Sequence, residues 1–346
     1  MRIAFVVGPC PPGQCGIGDY TACLAKSLRS IGVEASLIDW EDWSVLQALR
    51  TSRRLAVKFD IVHIQYPSLG FGRKLGPQGL SLLQNCIVTI HEASRATIKR
   101  RLSLIPFTLR AEHIIFTSSF ERCFAIRWFP WIEGFSSVIP VGSNIASFQS
   151  MCPRVCSEIV YFGLIMPGNG LEQVIELSKL IKAAGLPLII RVIGGVALKH
   201  LDYFYELQSK TAALPIVWDR DLSEEEIAER LARASIAYLP YPDGASERRT
   251  TLKAALVSGL GVVTTGGRHT PVELERVVKL SQSPEEALAT IRFLMENPDE
   301  LSTMSSKAVE YSLRYSWECI SKGHLKLYDS VFDARKRLIS RAGALS

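Results

Sequence analysis

Two successive series of short apolar runs and amphipathic segments constrain what this chain can fold into. The first series has an apolar run at 1–7, a Gly- and Pro-rich loop at 8–18, an amphipathic helix at 19–30 and a second apolar run at 33–39. A second series of the same kind begins at Glu158. Strands that alternate with helices predict parallel sheets covered by helices on both faces. The sequence therefore predicts an α/β protein with two doubly wound, Rossmann-like domains.

The length and composition agree with this division. With 346 residues the chain is long enough for about two domains, and its apolar fraction of 47% is typical of a well-buried globular protein. The predicted domains are residues 1–148 and 155–320, with a linker at 146–157 and a C-terminal helix in residues 321–346. No apolar run approaches the roughly 20 residues that a membrane span needs. The first apolar run leads straight into a loop, which argues against a signal peptide and for a cytoplasmic protein.

Basic residues are concentrated in the first half of the chain. Residues 1–150 contain 16 Lys and Arg against 10 Asp and Glu, whereas residues 151–346 contain 24 of each. Much of the excess lies between Arg95 and Arg127, next to a segment of mixed cations and aromatic rings at 127–135. That segment indicates either packing between domains or a surface that touches a membrane or a lipid-like acceptor. A pI of about 8.9 without a recognition motif argues against nucleic-acid binding.

Polar residues follow two buried strands of the first half. The runs at 60–66 and 86–92 both end in polar residues, and the second ends in His91 and Glu92. Ligands bind outside the carboxyl ends of the strands in open parallel sheets. His91 and Glu92 are therefore candidates for function, although a strand-end histidine is also common as a packed structural residue. The glycine-rich first turn matches neither GxGxxG nor a Walker loop, which argues against NAD.

The stretch Leu239–Gly267 is the most informative part of the second half. It is typical of a strand end, a polar loop, a helix closed by Gly259 and a buried strand. Arg248 and Arg249 stand at the predicted start of the helix, where unpaired N–H groups and the helix dipole favour an anion. Two adjacent arginines repel each other unless an anion or a carboxylate lies between them. The pattern indicates either a diphosphate site or a solvated helix start in which Glu247 pairs with an arginine.

The sequence does not predict a metal site. The eight cysteines are scattered and form no CxxC pair with histidine partners, so reduced thiols are expected. An Asp-Arg-Asp run at 219–221 has the DxD pattern of some metal sites. Ser223 and Glu226, however, predict a capping box for a helix that follows directly, and we favour a helix start at this position.

An ordered set of short motifs resembles a known family. The motifs are CGIGDYT at 15–21, FDIVHIQ at 59–65, VTIHE at 88–92, IPVGSN at 139–144, YFG at 161–163, PGNGLE at 167–172, AALVSGLGVVTT at 254–265 and YSWE at 315–318. This set is similar to that of the retaining glycosyltransferases of family 4, which have the GT-B fold, and it covers nearly the whole chain.

This resemblance implies a fold, an activity and partners. In the GT-B fold two Rossmann-like domains face each other across a cleft, and a C-terminal helix crosses back onto the first domain. The implied reaction is a retaining, metal-independent transfer of a sugar, of glucose type, from a nucleoside-diphosphate sugar, most often UDP-linked. The implied acceptor is a saccharide or a lipid-linked saccharide, as in polysaccharide synthesis, and no cofactor is expected. With the basic first half, this favours a peripheral protein at the inner face of the membrane, in contact with an anionic lipid surface.

The resemblance also implies the roles of individual residues. The second domain is expected to hold the donor and the first domain the acceptor. His91 corresponds to the strand-end histidine of the family and is the predicted catalytic residue beside the transferred sugar. The predicted acceptor-binding residues are Asp19 and Glu92, and the predicted donor-binding residues are Gly16, Gly18, Asn169, Arg191, Ser246, Glu247, Arg248, Arg249, Thr250 and Thr251.

The sequence departs from the family pattern where the diphosphate is expected. Leu164 and Asn169 stand where the family has Arg and Lys, and Ser246 and Ala254 stand where it has two glutamates. The arginine pair at 248–249 replaces a phenylalanine and a glycine. We therefore expect that positive charge has moved from the first loop to the second. The missing glutamates leave two alternatives open, a non-catalytic nucleotide-sugar-binding protein and a sugar-nucleotide epimerase of the same fold.

Overall fold

Alternating strands and helices form two parallel sheets, as the sequence predicts. The computed structural model describes residues 1–8, 15–38, 40–83, 85–94, 96–142 and 154–343. The chain divides into an N-terminal unit, Met1–Gly142 with Tyr315–Ser346, and a C-terminal unit, Ser143–Arg314. Most of the predicted linker at 146–157 lies outside the described residues.

The N-terminal unit is built on the first series of strands and helices. In chain order its elements up to residue 138 are β1 (Arg2–Val6), α1 (Gly16–Ser30), β2 (Glu34–Ile38), α2 (Val45–Lys58), β3 (Ile61–Tyr66), α3 (Gly76–Leu83), β4 (Ile87–Ile90), α4 (Ile98–Leu102), α5 (Ile105–Arg110), β5 (His113–Phe116), α6 (Ser119–Trp128) and β6 (Ser136–Val138). The described strands form a parallel sheet in the order β2-β1-β3-β4-β5-β6. The order reverses between β1 and β3, where an open α/β sheet offers a ligand crevice at its carboxyl edge.

Both faces of this sheet are buried, because successive side chains of a strand point to opposite faces. In β1, Ile3 and Phe5 belong to one core cluster, whereas Ala4 and Val6 belong to the other. The cluster on the side of Ile3 also contains Tyr328, far along the chain. A sheet with two buried faces explains why the central strands of this unit are mainly apolar.

The C-terminal unit repeats the design with another strand order. Its elements are β7 (Val155–Phe162), α7 (Leu171–Ala183), β8 (Ile189–Gly194), α8 (Leu201–Lys210), β9 (Ile216–Arg220), α9 (Glu224–Arg233), β10 (Ala234–Leu239), α10 (Thr250–Val257), β11 (Gly261–Thr264), α11 (Val272–Glu275), β12 (Lys279–Leu280), α12 (Pro284–Glu296) and α13 (Pro298–Ser312). The described strands lie in the order β12-β11-β10-β7-β8-β9, which is that of the Rossmann fold. The order reverses between β7 and β10, so the ligand crevice of this sheet is expected at their carboxyl ends.

Two glycines bring the loops at this carboxyl edge into close contact. Gly170 has a φ of +84°, and a Cβ atom there would lie 1.9 Å from the backbone oxygen of Pro240. A Cβ atom at Gly194 would lie 1.9 Å from the backbone oxygen of Gly163. Only glycine allows backbones to approach so closely, and only glycine adopts a positive φ without strain. The loops that follow β7, β8 and β10 are therefore packed backbone against backbone.

A long C-terminal helix, α14 (Trp317–Gly343), belongs to the N-terminal unit. The hydroxyl of Ser27 in α1 donates to the backbone oxygen of Trp317 at 3.0 Å. Farther along the helix, Nε of Arg335 donates to Oε1 of Glu112 at 3.0 Å, and Nη1 donates to the backbone oxygen of Asp60 at 3.0 Å. Contacts at both ends therefore hold α14 against this unit.

Two predicted helix ends are confirmed. The hydroxyl of Ser223 accepts from the backbone N–H of Glu226 at 3.2 Å, and the carboxylate of Glu226 accepts from the backbone N–H of Ser223 at 2.8 Å. This capping box starts α9 as the sequence predicts. Gly259 has a φ of +66° and ends α10, because glycine tolerates the left-handed conformation that closes a helix.

The start of α1 was predicted wrongly. Helix α1 begins at Gly16 rather than at residue 19, and the backbone N–H of Asp19 already donates to Cys15 at 3.0 Å. Gly16 and Gly18 thus lie in the first helical turn, because the buried side of α1 outweighs the low helix propensity of glycine. Pro284 and Pro298 are the first residues of α12 and α13, since proline fits the first turn of a helix.

Membrane-spanning helices and clusters of metal ligands are both absent from the part of the chain that the structure describes. Within the described ranges, no helix is long and apolar enough to cross a membrane. The same residues contain no group of three or more His, Cys, Asp or Glu side chains that could hold a metal ion. Cys86, Cys123 and Cys319 are thiols.

Candidate functional site

The loop after β10 surrounds one arginine of the predicted pair. The guanidinium of Arg249 forms an ion pair with Asp243 and lies over the ring of Tyr241, 4.6 Å from its centroid. The hydroxyl of Tyr241 lies 2.8 Å from Oγ1 of Thr251. Asp243 is therefore a carboxylate partner of Arg249. A ring and a carboxylate therefore orient the arginine at the β7/β10 crevice.

The predicted donor residues of this loop meet at the start of α10. The helix begins at Thr250 and has Arg249 at its N-cap, without a capping side chain. The first N–H groups of a helix have no partner within the helix and carry its positive dipole end. Thr250 is exposed, and Arg248 and Thr251 are partly exposed. The structure thus brings two cations and the positive dipole end of α10 to one accessible place.

Lys253, three residues after Thr250, is a buried cation that the sequence reasoning missed. Its side chain is only 1% exposed. Burial lowers the pKa of the Lys253 ammonium to about 7, and the charge of Glu247 opposes this shift. Glu247, a predicted donor residue, therefore acts on Lys253 electrostatically. The sequence signal was a lysine inside the apolar helix that follows the arginine pair.

The loop after β7 lies on the other side of the same crevice. The hydroxyl of Tyr161 donates to the backbone oxygen of Asn169 at 3.0 Å, and the Asn169 amide donates to the backbone oxygen of Leu164 at 2.9 Å. Burial raises the pKa of Tyr161, and the charge of Arg249 opposes that shift, so Arg249 and Tyr161 are close enough to interact. The side chain of Asn169 closes its own loop, which shapes the crevice next to Arg249.

Arg191, another predicted donor residue, takes part in an ion-pair network of the sheet. It lies in the middle of β8, where its guanidinium pairs with Glu158 at 2.9 Å and with Asp219 at 2.7 Å. Arg230 of α9 also reaches Asp219 at 3.4 Å. Asp219, the first aspartate of the DxD pattern, thus forms ion pairs with two arginines. Because two carboxylates already pair with its charge, Arg191 is not part of the proposed donor site.

In the N-terminal unit, His91 follows β4 directly. Its Nε2 lies 2.8 Å from Oε1 of Gln65 at the end of β3, and its ring meets that of Tyr20 edge-on at 5.2 Å. The hydroxyl of Thr117 donates to the backbone oxygen of His91 at 3.3 Å. Burial lowers the pKa of His91 to about 3. Near neutral pH the ring is therefore uncharged, and its two nitrogens are one donor and one acceptor.

The other predicted site residues of this unit lie next to His91 in the sequence or at the start of α1. Glu92 is exposed, and Asp19 is partly exposed in the first turn of α1. A Cβ atom at Gly16 would meet nothing within 4 Å. The buried carboxylate of Glu121, which sequence reasoning missed, accepts from the N–H of Ser94 at 2.8 Å and from its hydroxyl at 2.6 Å. Glu121 thereby fixes the loop that follows His91.

Buried histidines make the stability of this unit depend on pH. Burial lowers the pKa of His91 and His324 to about 3 from an ordinary value of 6.5. Below pH 6.5 the unfolded chain therefore binds protons that the folded chain does not, and the free energy of unfolding falls as the pH falls. Each group should lose about 1.4 kcal/mol between pH 7.5 and 5.5, so about 3 kcal/mol for the two.

Urea unfolding at the two pH values measures this loss. The variant His324→Gln removes one of the two groups, so its own pH-dependent loss should be smaller by about 1.4 kcal/mol than that of the wild type. Both proteins contain the same carboxylates, so the contribution of these groups cancels when the two pH-dependent losses are compared. Equal losses for the two proteins would show that His324 binds protons equally in the folded and the unfolded chain, so that burial does not lower its pKa.

Comparisons with known proteins bear on the fold. No protein-family model and no curated protein matches the sequence. HepE (Alr3699) of Anabaena, solved with UDP and glucose, matches with a TM-score of 0.68 at 14% identity, over 95% of this chain and 100% of that chain. A glycosyltransferase from Rickettsia africae matches with a TM-score of 0.72 at 14% identity, over 95% of this chain and 98% of that chain. An alpha-glucosyltransferase, solved with UDP-glucose and DNA containing an abasic site, matches with a TM-score of 0.66 at 14% identity, over 95% and 99%.

These matches span nearly the whole chain. At such low identity they establish the fold, and the chain has the α/β fold of GT-B glycosyltransferases. The fold class predicted from the sequence is therefore confirmed. The same fold hosts different chemistries, so function must be argued from the residues of the site.

Proposed function

We propose that this protein is a glycosyltransferase that moves a sugar, of glucose type, from a UDP-linked donor to a saccharide or a lipid-linked saccharide. One observation carries the proposal. An arginine pair stands at the start of α10, beside the crevice where the strand order of the C-terminal unit reverses. The likeness to HepE, which was solved with UDP and glucose, supports UDP as the nucleotide.

The diphosphate of the donor is assigned to the start of α10. Arg248 and Arg249 supply two permanent charges, and the N–H groups of Thr250 and Thr251 point along the positive end of the helix dipole. Asp243 and Tyr241 hold the Arg249 guanidinium, so little side-chain freedom remains to be lost on binding. Ser246 and Glu247 complete the loop. This arrangement replaces the Arg and Lys that the family carries in the loop after β7.

The proposed reaction keeps the configuration of the sugar. The bond between the anomeric carbon and the phosphate oxygen breaks, and its electron pair leaves with UDP. An acceptor hydroxyl attacks the resulting oxocarbenium-like carbon from the same face, and its proton passes to the departing phosphate. Preorganised cations stabilise the charge that develops on the diphosphate. His91 is assigned to orient the transferred sugar, and no metal is needed in this scheme.

Calorimetric titration of the full chain with UDP, GDP, ADP and NAD tests the proposal. Selective UDP binding is expected, followed by slow hydrolysis of one UDP-sugar and faster consumption when the right acceptor is present. Binding without turnover after an acceptor screen would favour the non-catalytic binding protein. Isomerisation of the sugar without an acceptor would favour an epimerase, and binding of NAD alone would overturn the proposal.

A surface of the N-terminal unit supports a membrane-associated acceptor. We define the basic aromatic surface as residues 98–102, 109–110 and 127–131. Ile98 is 68% exposed and Trp131 is 51% exposed, and Lys99, Arg100, Arg110 and Arg127 are exposed among them. The guanidinium of Arg101 lies over the ring of Trp128, 4.7 Å from its centroid, which joins α4 to the end of α6. Exposed apolar side chains among cations favour the surface of an anionic bilayer.

The double variant Lys99→Glu with Arg100→Glu should weaken binding to vesicles of phosphatidylserine and phosphatidylcholine at least about tenfold at low salt. Each basic residue near an anionic surface contributes about 1 kcal/mol, and reversal of the charge adds repulsion. Vesicle flotation measures the bound fraction.

The variant Arg292→Glu with Lys307→Glu changes the net charge equally in the C-terminal unit and should bind as the wild type does. Equal loss in both variants would show a general charge effect, and no flotation of the wild type would remove the membrane from the proposal. A peripheral location at the inner, cytoplasmic face depends on this result.

A further inference from the structure

A chain of buried polar side chains runs from His91 to the C-terminal helix. All its members belong to the N-terminal unit, and each except His91 is at most 2% exposed. The chain starts at His91, whose Nε2 lies 2.8 Å from Oε1 of Gln65, and Nε2 of Gln65 lies 3.3 Å from Nε2 of His63. Nδ1 of His63 lies 2.7 Å from the Tyr328 hydroxyl, which lies 3.3 Å from Nδ1 of His324. The chain ends where Nε2 of His324 lies 3.1 Å from the Tyr20 hydroxyl.

The chemistry of Gln65 gives this chain a direction. An amide oxygen only accepts and an amide nitrogen only donates. His91 must therefore carry its proton on Nε2, and His63 must accept at Nε2. Burial lowers the pKa of His63, so the ring is neutral and carries its one proton on Nδ1.

The same reasoning continues into α14. His63 Nδ1 donates to the hydroxyl of Tyr328, which in turn donates to Nδ1 of His324. His324 is also neutral because burial lowers its pKa to about 3, so its proton is on Nε2 and is donated to Tyr20. Thr89 lies 2.7 Å from His63 Nε2, and its hydroxyl serves either direction because it both donates and accepts. If the oxygen and nitrogen of the Gln65 amide exchanged positions, donor and acceptor would exchange in every hydrogen bond of the chain. His91 would then carry its proton on Nδ1.

We propose that Tyr328 and His324 are positioning residues that hold His91 in the tautomer protonated on Nε2, and this inference rests on the proposed role of His91 in sugar transfer. The described residues supply no hydrogen bond to Nδ1 of His91. In this tautomer Nδ1 carries no proton, so it can accept a hydrogen bond from a hydroxyl of the sugar. The opposite tautomer would present an N–H and would leave that hydroxyl without its acceptor. The C-terminal helix thus supplies the acceptor for His63 on which this polarity of His91 depends.

The variant Tyr328→Phe removes only the hydroxyl that accepts the Nδ1 proton of His63 in this direction. His63 would then have a buried N–H at Nδ1 without an acceptor, which is costly. The opposite tautomer of His63 donates from Nε2 instead, and it turns the Gln65 amide so that its nitrogen donates to His91. We expect the proton of His91 to move from Nε2 to Nδ1 in most molecules. Turnover of the donor should fall about tenfold, with KM little changed, because binding and chemistry use different groups.

Nitrogen-15 NMR of histidine-labelled full-length protein reads the tautomer directly, since protonated and unprotonated ring nitrogens have distinct shifts. The control Arg335→Ala loosens the same helix at its contact with Glu112 and Asp60 but touches no member of the chain. It should leave the His91 tautomer unchanged. In a Gln65→Leu background the chain is cut, and adding Tyr328→Phe should no longer alter His91.

Three results would overturn the inference. They are a wild-type His91 protonated on Nδ1, an unchanged tautomer in Tyr328→Phe, and an equal change in Arg335→Ala. None of these measurements needs a donor or turnover. If the wild type binds no UDP-sugar, the proposed function fails while the tautomer result stands. If UDP-sugar is turned over but the tautomer does not respond to Tyr328, the inference fails alone.

Discussion

The double variant Arg248→Ala with Arg249→Ala should weaken binding of UDP about 100-fold. Each hydrogen bond to a charged partner contributes roughly 1.5–3 kcal/mol, so losing two of them should remove at least about 3 kcal/mol. Arg249 should account for the larger share, because Asp243 and Tyr241 hold its guanidinium in place. Calorimetric titration with UDP measures the change in Kd.

Two further variants make this result specific. Arg233→Ala removes a cation of the same unit that reaches Glu229 only at 4.0 Å, and it should leave the Kd within about twofold. Arg249→Lys keeps the charge but loses the planar group that lies over Tyr241, so its effect should be intermediate. Unchanged UDP affinity in the double alanine variant would move the diphosphate site away from the start of α10.

His91→Ala should lower turnover of the UDP-sugar about 100-fold, at the low end of the range for removal of a catalytic imidazole. Binding of UDP alone should stay within about twofold, because the nucleotide is assigned to the C-terminal unit. Single-turnover kinetics with the UDP-sugar, together with titration of UDP, separates the two quantities.

The matched control is His113→Ala, in the same unit. His113 lies at the start of β5 and bonds to the hydroxyl of Ser137 at 2.9 Å, away from the carboxyl edge of the sheet. The His113→Ala variant should turn over the UDP-sugar at the rate of the wild type. If His91→Ala keeps full turnover, His91 is a packed structural residue, the alternative that the sequence left open.

Features that depend on neighbours in sequence were predicted well. The alternation of apolar runs and amphipathic segments predicted both series of strands and helices, because a strand with two buried faces is apolar along its whole length. The capping box at Ser223 and Glu226 and the helix end at Gly259 are formed within a few residues, so their signals are complete in the sequence. The position of His91 after β4 followed in the same way.

Features that depend on distant residues were missed or remain predictions. The start of α1 at Gly16 reflects packing of the whole helix, which outweighs local propensity. The ion pairs of Arg191 come from three different strands, and the burial of Lys253 comes from the packing around α10. A charge in the sequence does not show which carboxylates lie beside it. The roles of the donor and acceptor residues still await the variants described above.

By itself the sequence determined the α/β architecture, the local starts and ends of several helices, and the polar residues at the ends of buried strands. It did so because periodicity, capping and turn chemistry act over a few residues. Only the tertiary structure decided that Asp243 and Tyr241 hold Arg249, and that Tyr328 and His324 connect through His63 and Gln65 to His91. Partners in such contacts are brought together by burial of a common core, and burial acts on surfaces without regard to distance along the chain.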